Sequence, residues 1–145
     1  MSRIISFRGL IGDGEQDTIV LHTTNGSLGY RIIKMQLIPE FPGVSSQESV
    51  VKIYKTEQTT IDATVDFSDN RLLAAGYVPH TQSFRQDIST DSVIFDNEIF
   101  NQDIYVTHVD VSVGERTNYY IELEQMPLDL NENTVATLKD IRNVA

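Results

Sequence analysis

The sequence predicts a mainly β protein: one antiparallel β-sandwich or jelly-roll-like domain over residues 1–130, completed by a short helix or docking tail at 131–145. Three observations lead there. Apolar and polar residues alternate with period two in short pieces, as strands do when one face is buried and the other wet. Turn formers such as Asn25-Gly26 and Val113-Gly114 separate those pieces. At 145 residues, 40% of them apolar and 22% charged, the chain suffices for one core, and no internal repeat or linker divides it.

Taken in order, Gly9-Leu10-Ile11-Gly12-Asp13-Gly14 carries glycines but sets acids where a phosphate would sit, and it lacks a Gly-Lys-Ser/Thr ending. It reads as a turn that ends a strand. Residues 18–24 are rich in β-branched side chains, Asn25-Gly26 favours positive φ, and 30–38 alternate again, which predicts a hairpin. Pro39, Pro42 and Gly43 make 39–46 a loop or crossover, and 49–55 a strand with Val51 and Ile53 inward. The cleanest alternation is 60–67, with Ile61, Ala63, Val65 and Phe67 on one side and Asp62, Thr64 and Asp66 on the other. Residues 69–76 start with Asp, end with Gly and hold helix formers between, predicting one or two helical turns. Residues 77–91 have no period and read as a long exposed contact loop. Residues 103–111 and 118–126 predict a second hairpin around 113–116. In the tail, Asn131 or Asn133 caps a helix through Arg142, with Val135, Leu138 and Ile141 on one stripe. So short a helix needs a surface to dock on, either the sheets or a neighbouring molecule.

Asp and Glu number 21 against 11 Lys and Arg, a formal charge of -10, which disfavours nucleic acid and anionic membranes as partners. The absence of cysteine excludes disulfides, thiolate metal sites and thiol nucleophiles. No apolar run is long enough for a signal h-region or a membrane span, so the expectation is a protein made and kept inside a cell, or released by a route other than secretion. The histidines His22, His80 and His108 offer no His-x-His or His-x-x-x-His spacing, and His22 and His108 are expected on the polar side or a partly buried edge of their strands. Carboxylates cluster at 12–17, 66–70 and 96–98, where Asx turns explain them and no twelve-residue calcium loop occurs. No Gly-x-Ser-x-Gly elbow is present. The expectation is therefore a protein without catalytic residues, bound metal or cofactor. A hydrolase with paired carboxylates stays open as a minor alternative, because carboxylate separation is three-dimensional. Tyr119 and Tyr120 must point to opposite faces of one strand, so one of them can anchor a protein partner or stack on a sugar.

Two stretches, residues 95–108 leading to 118–124 (Phe95-Asp96-Asn97-Glu98-Ile99-Phe100, then Asn118-Tyr119-Tyr120-Ile121-Glu122) and the closing 130–142, resemble the C-terminal part of small virion-associated β-rich proteins of marine tailed bacteriophages, with an echo at 29–34. The resemblance implies a phage structural protein, made in the host bacterial cytoplasm and assembled into a virion; it transfers no catalytic or binding residue. The expectation is a non-enzymatic capsid decoration or cement subunit. It would act by contacts with other virion proteins such as the major capsid protein and with itself as a homo-oligomer. Those contacts are assigned to Phe84 and Arg85 in the 77–91 loop, to Tyr119 and Tyr120, and to Val135, Leu138 and Ile141. The alternatives are a tail, baseplate or head-to-tail component, and a carbohydrate-binding module that uses tyrosine stacking and a loop calcium.

Overall fold

The computed structural model describes residues 3–42, 46–80 and 92–128. Eight strands occur among them: β1 (Arg3–Ile11), β2 (Gln16–Ile19), β3 (Leu28–Pro39), β4 (Gln47–Tyr54), β5 (Leu72–His80), β6 (Ser92–Phe95), β7 (Ile104–Asp110) and β8 (Thr117–Pro127). They form two antiparallel sheets, a three-stranded one ordered β1-β8-β3 and a five-stranded one ordered β2-β7-β4-β5-β6. Three of the pairs are nested, first with last, second with second-last, fourth with fifth, so the chain runs as a long folded ribbon that crosses repeatedly between the sheets.

One core lies between the sheets. Ile11, Ile32, Met35 and Leu37, with Ile121 and Leu123, come from the three-stranded sheet; Ile19, Val51, Ile53, Leu73, Ile104 and Val106 come from the other. Each aliphatic side chain fully buried there contributes about 1.5–3 kcal/mol. The two layers meet so closely at Gly76 that an added Cβ would run into Leu37, with Met35 just behind it. That approach is why a glycine sits in mid-strand.

Several sequence expectations are corrected. The 18–24 and 30–38 strands do not form a hairpin, because β2 pairs with β7 and β3 with β8. Asn25-Gly26 does turn, with Gly26 at φ 65°, but the turn carries the chain from one sheet to the other. The 103–111 and 118–126 segments are strands, yet they too lie in different sheets, joined by an arch at Gly114 (φ 83°). Residues 60–67 form no strand. Strand β4 already has β5 and β7 on its two edges, and the segment lies instead against Lys52, whose Nζ donates to Asp62 Oδ1 (3.1 Å) and to the Thr64 carbonyl (2.5 Å). Val65 and Phe67 are left exposed. Residues 69–76 are not helical: Asp69 caps an Asx turn, accepting from the Arg71 N–H at 2.9 Å, and the chain then enters β5 between β4 and β6. Of the 77–91 loop, residues 77–80 belong to β5, while 81–91 with Phe84 and Arg85 lie outside the described residues. So does the tail with Val135, Leu138 and Ile141 and its expected helix. Among the described residues there is no helix.

Candidate binding face of the three-stranded sheet

Strand β8 is central in its sheet, and its side chains alternate strictly. Tyr119, Ile121 and Leu123 turn into the core; Asn118, Tyr120, Glu122 and Glu124 turn outward. The antiparallel register then writes the outer face as rows across β1, β8 and β3: Leu10–Asn118–Ile38, Arg8–Tyr120–Gln36, Ser6–Glu122–Lys34 and Ile4–Glu124–Arg31.

Tyr120 is half-buried at the middle of that face. Its hydroxyl donates to Glu122 Oε2 at 2.7 Å, and the Lys34 ammonium lies 5.8 Å from its ring centroid. The bond to Glu122 holds the phenol above its ordinary pKa, because ionising it would set two negative charges together. Arg31 Nε donates to Glu124 Oε1 at 2.6 Å. Exposed apolar side chains stand at the two ends of the face, Leu10 (39% exposed) and Ile38 (58%) in the Asn118 row and Ile4 (63%) in the Glu124 row. An open groove of about 490 Å³ runs between Leu10, Ile38, Gln36 and the two tyrosines. The face carries three cations against two carboxylates, on a chain whose formal charge is -10.

Tyr119 occupies the opposite side of the strand, as the alternation requires. It packs over Gly9, where an added Cβ would lie 2.9 Å from its hydroxyl, and it donates to Asp17 Oδ2 at 2.9 Å. Burial first, and then the Asp17 carboxylate, raise its pKa far above the usual value. Tyr119 is thus a buried tie between the sheets, and Tyr120 is the outward member of the pair.

A second cluster was not anticipated. Ile104, Val106, His108 and Asp110 share one parity on β7, as do Gln47, Ser49, Val51 and Ile53 on β4 and Thr117, Tyr119 and Ile121 on β8. Where the three inner faces converge near the strand ends, the side chains change from apolar to polar. Ser49 Oγ lies 2.9 Å from His108 Nε2 and 3.1 Å from Thr117 Oγ1, and Gln47 Nε2 donates to Ser49 Oγ (2.7 Å) and Thr117 Oγ1 (2.5 Å). His108 is fully buried, against the expectation of a polar-side position, and its parity with Ile104 and Val106 was the available signal. Its Nδ1 has no hydrogen-bond partner among the described residues. A serine and a histidine at this distance have the contact of a nucleophile and base, but both are wholly inaccessible and among the described residues no acid orients the imidazole.

His22 is exposed and pairs with Asp103 at 2.7 Å. Of the acid clusters, 66–70 and 96–98 form the expected Asx turns, Asp66 accepting from the Ser68 N–H and Asp96 from the Glu98 N–H. Hydrogen bonds from Ser68 hold Asp66 below the ordinary carboxylate pKa. The first of these turns borders a polar groove of about 450 Å³ with Thr60, Thr64 and Arg71. Among the described residues no group of three or more His, Asp or Glu is placed to hold a metal ion. No protein-family model matches the chain, and no curated protein matches it either.

Proposed function

We propose that this chain is a non-enzymatic structural subunit of a tailed-phage virion, a capsid decoration or cement protein, which grips its particle through the outer face of the three-stranded sheet. The observation that carries the reading is a half-buried tyrosine with exposed Leu10 and Ile38 in the adjoining row and exposed Ile4 at the far end of the same face. An amphipathic aromatic beside exposed aliphatic side chains, with an arginine next to it, is the composition of a protein-contact hot spot. The architecture supports the same reading: nested pairs β1-β8, β2-β7 and β4-β5 suit a jelly-roll-like sandwich, a plan that viral capsid and lectin domains share. Here β6 departs from the nesting by pairing with β5 instead of β3. The phage context itself rests on the resemblance of the C-terminal third.

The test is quantitative mass spectrometry on gradient-purified particles of the phage that encodes the chain. Peptides of this protein are expected at a copy number that scales with the major capsid protein. Leu10→Asp, on the exposed face, is expected to be lost from the particles while its circular dichroism keeps the sheet signal. Purified particles devoid of the wild-type chain would overturn the assignment.

A further inference from the structure

The three-stranded sheet has two edges, and they differ. The outer edge of β3 is guarded in three ways: a bulge between Ile32 and Lys34, a proline without an N–H at its end, and backbone pairing of Tyr30 with Phe100 (2.8 and 2.9 Å). Strand β1 has none of these guards. Its nine residues pair with β8 without a break, from Arg3↔Gln125 to Ile11↔Thr117, and among the described residues no strand pairs with its other edge. It holds no proline, and no charge points inward from its middle. A long, unbroken edge that carries only Arg3 and Arg8 as charges is a template for another strand.

We propose that the occupant of this edge is β1 of a second copy, joined antiparallel about a two-fold axis at Phe7 to make a continuous six-stranded sheet. The side chains choose the register. An axis at Arg8 would set Arg8 directly against its own copy, a destabilising like-charge pair. An axis at Phe7 sets Arg8 opposite the small Ser6 of the other chain. From there its guanidinium reaches over Ser6 toward Glu122, which lies next to Ser6 in the β8 register. The same axis sets exposed Ile4 against exposed Leu10 on the outer face, and Phe7 against Phe7 on the inner face. Ile5 and Phe7 face the core yet stay only partly buried, and a second copy would cover them. The contact is isologous and closes on itself, so the product is a dimer and not a fibre. It also places two Tyr120-centred faces side by side. The inference stands on the edge geometry and does not depend on the virion reading.

The chain has no cysteine, which makes the register directly readable. Light scattering after size exclusion is expected to give twice the 16.4 kDa chain mass. Co-expressed Ile4→Cys and Leu10→Cys chains are expected to oxidise to a covalent dimer. Neither variant alone should do so, because the two copies of residue 4 would stand roughly 20 Å apart at the usual rise per residue. A single-chain mass for the full-length protein overturns the proposal, including the case in which deleting 129–145 converts a monomer into a dimer, since the chain's own tail then fills the edge. A dimer whose cysteine variants bridge in any other combination overturns the register and with it the interface. A monomer that still binds particles would refute this interface and leave the virion reading standing.

Discussion

The two ends of β7 face one problem and solve it with one residue type in two environments. Before its first residue, Asp103 Oδ1 accepts the backbone N–H groups of Leu21 (2.9 Å) and His22 (3.0 Å) together with the His22 ring (2.7 Å). At its last residue, Asp110 accepts the N–H groups of Glu48 (2.9 Å), Ser112 (3.2 Å) and Glu115 (2.6 Å). In both places the chain crosses between sheets, the ladder stops, and backbone donors lose their partners. A carboxylate gathers them. Asp103 does this at the rim, with an exposed histidine beside it. Asp110 does it buried, backed by the Gln47–Ser49–His108–Thr117 cluster. An arch needs a local acceptor in place of a partner strand, and its depth sets how much depends on it.

The largest effect is therefore expected from Asp110→Ala. It takes the buried acceptor from three N–H groups, but arch residues 111–114 are exposed and water can partly replace it, so at about 1 kcal/mol for each hydrogen bond lost the cost should be roughly 2–3 kcal/mol. Urea unfolding measures it. A cost below about 1 kcal/mol would mean that the arch re-forms its bonds to water and that the burial contrast has no energetic content.

Asp103→Asn is expected to cost less, about 1 kcal/mol at neutral pH, since the amide oxygen still accepts the two N–H groups and only charge assistance is lost. Its pH dependence is more telling. Burial pushes the Asp103 carboxyl up, but the His22 N–H and ring and the Leu21 N–H outweigh it and hold the pKa below the ordinary value. A carboxylate depressed in the folded state stabilises fully above its unfolded pKa of about 3.9, and that contribution disappears as pH falls through the lower folded value. Wild type should therefore lose its advantage over Asp103→Asn below about pH 4. Parallel acid-unfolding curves for the two proteins would contradict the assignment.

These arches also mark where the sequence stopped being legible. Period-two alternation placed strands at 30–38, 49–55, 103–111 and 118–126 because it reports a local fact, that one face of each segment is buried. It is silent on which strand lies alongside. Asn25-Gly26 turns as its residue types demand, but a turn between strands in one sheet and a turn between sheets use the same glycine; what separates them is Asp103, 82 residues from Leu21. At 60–67 the alternation misled, since Asp62 answers Lys52 ten residues back and not a position on a pleated ladder. Parity alone set Tyr119 and Tyr120 on opposite faces, and the structure shows that Tyr120 is the outward one. Parity on β7 also held the location of His108, once Ile104 and Val106 are followed one step past the apolar run.

That step bears on the smallest prediction. His108 is the one member of the polar cluster with an orphaned buried atom, while Ser49 and Thr117 also bond to each other and to Gln47. Removing the imidazole deletes a desolvated nitrogen that receives nothing in return, but it also leaves one hydroxyl hydrogen without an acceptor in the cluster, because Gln47 Nε2 only donates. The relief of a buried unsatisfied nitrogen and the loss of an acceptor for one buried hydroxyl are of similar size, about 1–3 kcal/mol each, and they oppose one another. His108→Leu should change stability by less than about 1 kcal/mol, of either sign. Gln47 is the opposite case. It bridges Ser49, Thr117 and the Arg116 carbonyl, and no other described side chain spans that set. If His108→Leu instead proved as costly as Asp110→Ala, the orphaned Nδ1 would have to hold a partner in solution, and the polar end of β7 would be a site instead of a seal.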